Sequence, residues 1–201
     1  MTMKRSILIL IAAVLSAVAC EKPNKDSDIY NLYGNYKLSN IHWSGQAVNL
    51  NQDGLSYWDL LYEFKDILGY CEQSYVATVD DAMKLSEEDS FSGAETAFSA
   101  ILPYPKFVVS EGKWVCTQIS SIGVTMRANK ENFRLNGNTC FFYPKYFDED
   151  DFFLANIKDV SLFVESFDSN SFKIGVRCTL PHDENGAQEL NENYLYYEFS
   201  R

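Results

Sequence analysis

The feature of this chain that most constrains its fold is an alternation of apolar and polar residues in the last third of the sequence. Val160, Leu162 and Val164 form one alternating run, and longer runs cover residues 172–179 and 193–199. A period of two places every second side chain on the same face of a β-strand. Short polar turns between such runs are typical of antiparallel strands. The pattern therefore predicts an antiparallel sheet that buries one face.

The earlier part of the chain indicates more strands of the same kind. We predict them at residues 33–43, 74–79, 97–102, 106–110 and 113–127. Glu111-Gly112 is compatible with a tight hairpin turn, whereas Pro103 and Pro105 indicate an edge or a crossover, because proline lacks the N–H of a ladder. Strands joined in sequence close naturally into an up-and-down barrel, which leaves no exposed edge. We predict a mainly β fold of this type, with a β-sandwich as the alternative.

One helix is expected near the start of this domain. Apolar residues recur at helical spacing at Leu60, Leu61, Phe64, Ile67 and Leu68. The spacing predicts an amphipathic helix of about four turns that ends at Gly69. The helix is a minor addition to a β fold.

The amino-terminal segment has the organisation of a secretory signal. Lys4 and Arg5 precede an apolar run that ends in small residues. This run is shorter than the about 20 residues that a membrane-spanning helix needs. Residues 1–19 are therefore predicted to be a signal peptide that is removed on export.

Two processing routes are compatible with a cut before Cys20. Ala17-Val-Ala19 is an acceptable site for ordinary signal peptidase. Ala17-Val-Ala-Cys20 resembles the lipobox of bacterial lipoproteins, although Leu usually stands where Ala17 does. A lone Cys followed by a polar segment favours lipidation of Cys20, with plain secretion as the alternative. We predict a lipidated Cys and flexible tether at residues 20–29 and a single β-barrel domain at residues 30–201, anchored to the cell envelope at the outer membrane.

The net charge argues against nucleic acid as a partner. The whole sequence carries −11, and loss of Lys4 and Arg5 with the signal leaves −13. Such a surface repels phosphate groups, both in nucleic acid and in anionic lipid headgroups. We therefore expect the membrane contact to be made through the lipid on Cys20.

Four cysteines remain in the predicted domain, namely Cys71, Cys116, Cys140 and Cys178. An exported protein can form disulfides, and four cysteines allow three connectivities. Cys178 is in phase with the apolar residues of its strand, which predicts a small buried side chain instead. No C-x-x-C pair is present, which argues against a zinc ribbon or a thioredoxin-type site. The sequence leaves the pairing open.

The sharpest chemical motif is Asn49-Leu-Asn51-Gln-Asp53-Gly54, which resembles a calcium-binding loop with Asn at its first position. Calcium prefers hard oxygen ligands, and alternate residues of a tight loop can direct several of them at one centre. The candidate ligands are Asn49, Asn51, Asp53, the carbonyl of Leu55, and Asp59. The alternative is a metal-free Asn/Asp turn in which Asp59 only favours the start of the helix. If calcium binds, we expect a structural role.

Motifs of familiar enzymes are absent from the sequence. There is no G-x-S-x-G elbow, P-loop or dinucleotide fingerprint, and His42 and His182 belong to no metal or catalytic pattern. The acidic runs Glu87–Asp89 and Asp148–Asp151 are contiguous, whereas a glycosidase needs two carboxylates that face each other. We therefore predict no enzymatic activity. An envelope hydrolase acting on glycan or peptide, through a Cys–His pair or opposed carboxylates, is the least favoured alternative.

A resemblance to a known family adds to this interpretation. The segments Gly34-Asn-Tyr-Lys-Leu38, Asn49-Leu-Asn-Gln-Asp-Gly54 and Asp59-Leu-Leu61 are similar to the opening of lipocalin-like lipoproteins of Bacteroides-type bacteria. The resemblance implies a calycin-like barrel with one helix near its start, and fold analogy suggests a cavity for a small apolar ligand. We expect a non-enzymatic lipoprotein that binds such a ligand or docks an envelope protein. A structural or inhibitory lipoprotein without a pocket is the alternative.

Overall fold

The computed structural model describes residues 29–82, 95–129, 133, 135, 140–142, 150–167, 169–184 and 187–201. The fold is mainly antiparallel β, and its strands are β1 Gly34–Trp43, β2 Val76–Asp81, β3 Glu95–Ser110, β4 Lys113–Asn129, β5 Cys140–Phe142, β6 Asp159–Phe163, β7 Ser171–Glu184 and β8 Ala187–Ser200. Its short helices are α1 Leu60–Lys65, α2 Phe152–Ala155 and a 3-10 turn at Glu72–Ser74. Within these ranges, no helix has both the length and the apolar character needed to cross a membrane.

The strands form one sheet in the order β5-β4-β3-β2-β1-β8-β7-β6. Among the described residues, each strand pairs with its neighbour in the chain except β5 with β6, which are the two edges, and β1 also pairs with β8. The edge strands β5 and β6 approach each other, so the sheet curls into a nearly closed barrel. The predicted up-and-down barrel is therefore confirmed, and the sandwich alternative is wrong.

The long hairpin of β3 and β4 differs from the two separate strands expected around Pro103 and Pro105. β3 runs through both prolines without interruption and pairs with β4 along its whole length. Its pairing with β2 ends at Ala100, so the prolines lie where one edge of β3 is open within the described ladder. A missing N–H on that side costs no ladder hydrogen bond. The hairpin turn is at Glu111 and Gly112 as predicted, with φ of 51° and 79°.

The helix near the start of the domain is shorter than predicted. α1 ends at Lys65, with Asp66 as its carboxyl-terminal cap. The carbonyl of Leu68 instead accepts a hydrogen bond of 2.7 Å from the N–H of Ile119 on β4. Gly69 then takes φ of +90°, which glycine adopts without strain. The helix therefore ends before the apolar spacing does, and the residues after it pack against β4 instead.

The interior is filled largely by aromatic and branched side chains. The largest fully buried ones are Trp43, Tyr36, Tyr197, Phe64, Phe98, Phe153 and Phe199. Leu60 and Phe64 of α1, together with α2, cover one end of the barrel, and the segment before β1 covers the other. At that second end the guanidinium of Arg201 donates to the carbonyls of Asn31 and Tyr33. Both ends of the barrel are thus covered by the chain itself.

Candidate functional site

The predicted calcium loop is a compact, internally hydrogen-bonded turn. The side chain of Asn51 accepts a hydrogen bond of 3.1 Å from the N–H of Asp53, and Oδ1 of Asp53 accepts one of 2.7 Å from the N–H of Leu55. Gln52 and Gly54 both have positive φ, at 61° and 89°. These bonds are typical of Asx turns, so the geometry matches the metal-free alternative without requiring a cation.

Asp59, the predicted closing ligand, is the amino-terminal cap of α1. Its Oδ1 accepts a hydrogen bond of 3.1 Å from the N–H of Leu61. The acid that does reach the loop is Glu63, which sequence reasoning missed. Its Oε2 accepts hydrogen bonds of 2.8 and 2.9 Å from the N–H groups of Leu50 and Asn51. Glu63 lies four residues after the cap Asp59, one position beyond the acid of a capping box, so no standard motif marked it.

Glu63 is fully buried and only partly satisfied. Its Oε1 has no hydrogen-bond partner among the described residues, and the same holds for the buried Oδ1 of Asn49. Burial raises the pKa of Glu63, and its two backbone donors only partly offset this effect. A proton, a water molecule or a cation would satisfy these oxygens. Within the described ranges no three His, Cys, Asp or Glu side chains converge, and calcium binding by the loop stays a prediction.

Cys116 and Cys178 are buried thiols rather than activated nucleophiles. Cys71, Cys116 and Cys178 are free thiols, and Cys178 is fully buried as predicted. Cys116 lines a small pocket of about 130 Å³ together with His182. Burial raises the pKa of Cys116 to about 12, so this thiol is protonated at neutral pH. A catalytic cysteine needs the opposite shift.

The acidic runs yield one structural carboxylate in the described ranges. Asp151 is buried and caps α2, where its Oδ1 accepts hydrogen bonds from the N–H groups of Phe153 and Leu154. It also lies 3.7 Å from the ammonium of Lys106. Residues 87–89, residues 148–149 and the predicted lipidation site lie outside the described residues.

A larger opening lies on the outer wall of the barrel. It is a groove of about 390 Å³ over β1, β6, β7 and β8, lined by Asn40, His42, Phe163, Glu165, Lys173, Tyr196 and Glu198. The strand register explains how these residues meet. Phe163 pairs with Lys173, Lys173 with Glu198, and Glu198 with Asn40, so one row crosses four strands. An adjacent row brings Gly175, Tyr196 and His42 side by side.

The aromatic part of the groove is organised around Gly175. Tyr194 and Tyr196 are stacked on the outer face of β8, with ring centroids 5.6 Å apart and planes 18° apart. Phe163 meets Tyr196 edge-on, at 5.6 Å and 70°. A Cβ atom at Gly175 would lie 2.7 Å from the ring of Phe163 and 3.1 Å from that of Tyr196. Because Gly175 has no side chain, the rings of Phe163 and Tyr196 can pack against the sheet at this position.

The polar part of the groove is centred on Lys173. Its ammonium lies 3.9 Å from a carboxylate oxygen of Glu165 and 3.9 Å from one of Glu198. Asn40 and the exposed His42 add an amide and an imidazole from β1. Outside the groove, Tyr194 donates a hydrogen bond of 3.4 Å to Asp159. The groove thus has an aromatic wall and a polar wall. In the polar wall, two carboxylates face a single ammonium.

Comparison with protein-family models, with curated proteins and with solved structures finds no match for this chain. The resemblance of residues 33–64 to lipocalin-like lipoproteins therefore stays an expectation, and function has to be argued from the geometry of the barrel.

Proposed function

We propose that the protein is a non-enzymatic binding lipoprotein that is held at the cell envelope by a lipid on Cys20 and binds a small ligand in the groove on its outer wall. The observation that carries the proposal is the groove itself. It combines exposed aromatic surface with convergent polar groups from four strands, which is typical of ligand sites. Its volume falls within the range of about 300–1,000 Å³ found for such sites.

The side wall is a better candidate than the barrel interior for the ligand expected by fold analogy. The described core positions are occupied by packed rings, such as Phe172, which contacts Tyr36, Phe98 and Phe199 at centroid distances of 4.9–5.7 Å. Opening that core would cost several kcal/mol of packing energy, because removing a single buried Phe already costs about 3–5 kcal/mol. Binding on the outer wall requires no such change.

The chemistry of the groove and of the smaller pocket supports binding rather than catalysis. The thiol that lines the smaller pocket, Cys116, is protonated at neutral pH. In the groove, Glu165 and Glu198 both contact the ammonium of Lys173.

The test is native mass spectrometry of the full lipidated chain in mild detergent, after incubation with a small-molecule extract of its own envelope. We expect a bound organic mass on the wild type that is lost in Tyr196→Ala. The matched control is Tyr62→Ala, because Tyr62 is an exposed tyrosine on α1 outside the groove. A bound mass that persists in Tyr196→Ala, or no bound mass on the wild type, would contradict the proposal.

A further inference from the structure

From the composition of the groove, and resting on the proposed function, we infer that the ligand is a neutral saccharide whose apolar ring face lies against Tyr196 while its hydroxyl groups bond to Asn40, His42 and Glu198.

The ring of Tyr196 lines the groove. Tyr194 stacks on this ring but is not among the residues that line the groove. On β8 the groove therefore extends from Tyr196 toward Glu198, with the ring of Phe163 as a side wall. An aromatic face presents a flat apolar surface of partial negative charge. The C–H groups on one face of a pyranose ring suit such a surface.

The polar groups around this ring suit hydroxyl groups. Asn40 can both donate and accept hydrogen bonds, His42 can do the same in its neutral form, and Glu198 accepts them. Each sugar hydroxyl is itself a donor and an acceptor, so it can bond to any of the three. An apolar lipid chain would desolvate these groups and leave them unpaired, which is unfavourable for each group.

The charge of the groove disfavours ionic ligands. A phosphate or carboxylate ligand would meet Glu165 and Glu198 against the single ammonium of Lys173. A cationic ligand would have to displace Lys173 from both carboxylates or lie beside it. A neutral polyhydroxy ligand meets neither obstacle, because it carries no net charge to be repelled.

Gly175 is the structural element that distinguishes this groove from an ordinary strand surface. A side chain there would meet the rings of Phe163 and Tyr196. Gly175→Val should therefore tilt the aromatic wall without altering any lining residue, and we expect it to weaken saccharide binding as much as removal of the Tyr196 ring does.

The test is binding of the full lipidated chain, in mild detergent, to an array of neutral oligosaccharides with gluco, galacto, manno and xylo configurations. We expect binding to at least one glycan, weakened about tenfold or more by Tyr196→Ala and retained in Tyr196→Phe, which keeps the ring. Tyr62→Ala serves as the control for a general loss of tyrosine. Circular dichroism of each variant checks that the barrel is intact.

The outcomes separate this inference from the proposed function. Glycan binding that depends on the Tyr196 ring supports both. If no neutral glycan binds, but native mass spectrometry shows another ligand that Tyr196→Ala loses, the saccharide assignment is wrong and the groove remains the binding site. Glycan binding that is unchanged in Tyr196→Ala and Gly175→Val would overturn the assignment of the saccharide to this groove.

Discussion

The carboxylate of Glu63 holds the loop before α1 in place, because its Oε2 accepts a hydrogen bond of 2.8 Å from the backbone N–H of Leu50. The side chain is fully buried, and its second oxygen has no partner among the described residues. A buried carboxylate that is bonded on one side only is a source of both order and pH dependence.

Glu63 should make stability depend on pH in a predictable direction. Its pKa is raised in the folded protein by burial, so the folded state binds the proton more tightly than the unfolded state. Its contribution to stability therefore increases as pH falls through the folded pKa toward the usual carboxyl range, and is lost as pH rises. We expect Glu63→Gln to be at least as stable as wild type at about pH 8, with this difference shrinking toward about pH 5.

Urea unfolding at several pH values measures this effect. Glu63→Ala is the companion variant, because it leaves the N–H groups of Leu50 and Asn51 without their acceptor. We expect it to cost about 2 kcal/mol or more. A difference between wild type and Glu63→Gln that does not change with pH would show that the carboxylate is not the source of pH dependence.

The two interpretations of the loop at residues 49–54 predict different responses to chelator. A calcium site predicts that calcium raises the melting temperature of the wild type, that chelator reverses this, and that Asp53→Ala abolishes both effects. A self-bonded turn predicts no response to either reagent. Asp59→Asn separates the roles of Asp59, since Asn still caps α1 but carries no charge. If Asp59→Asn leaves the calcium response intact, the charge of Asp59 is not needed for calcium binding, although the cap seen in the structure is retained.

Gly69 and Gly54 form a matched pair for measuring one tertiary contact. Both have φ close to +90°, but a Cβ at Gly69 would lie 2.5 Å from the carbonyl oxygen of Ile119, whereas nothing lies within 4 Å of one at Gly54. We expect Gly54→Ala to cost about 1 kcal/mol and Gly69→Ala clearly more, since the second adds a clash with backbone to the same conformational strain. Equal losses of unfolding free energy would contradict the contact.

Thiol reactivity should follow burial. Cys71 is exposed, whereas Cys116 and Cys178 are buried and have pKa values raised by burial. Because the thiolate is the reactive species, we expect iodoacetamide to label Cys71 in the native protein and the other two only in denaturant. Peptide mapping by mass spectrometry gives the sites. Rapid native labelling of Cys116 would show that the pocket beside it opens.

The lipid anchor is tested by Cys20→Ser. We expect this variant to leave the membrane fraction, because a residue without a thiol cannot carry the thioether-linked lipid. Cys71→Ser is the control and should remain with the membranes. Membrane association that survives Cys20→Ser would favour another mode of attachment over the predicted lipoprotein.

The sequence was sufficient to predict the fold, because the alternation of buried and exposed residues is a local pattern. Leu162, Val176 and Tyr197 face the interior, as their alternation predicts. The extent of α1 was not predictable in the same way, because the chain leaves the helix after Lys65 and Leu68 then bonds to Ile119, which is distant in sequence. The local spacing of apolar residues indicates which face of an element is buried, but it does not indicate where the element ends.

The groove was not predictable for a related reason. The alternation shows that Tyr196 and Phe163 face outward, but only the strand register places Tyr196 beside Gly175 and His42. A shift of one residue in the pairing of β7 with β8 would move the outward-facing side chains of one strand to the inner face and so remove the site. The glycine is the one hint within the sequence, since glycine within a strand often marks the close approach of another group.

The pairing of β1 has a consequence for the order of folding. Lys37 pairs with Val76 on one side, whereas Ile41 pairs with Tyr197 on the other, across most of the chain. Hairpins such as β3–β4 form between neighbours, whereas the pairing of β1 with β8 requires the entropically costly closure of a long loop. We therefore expect this pairing to form late in folding, with that edge of β1 unpaired until then. We also expect two copies of the chain to be most prone to exchange strands at this pairing.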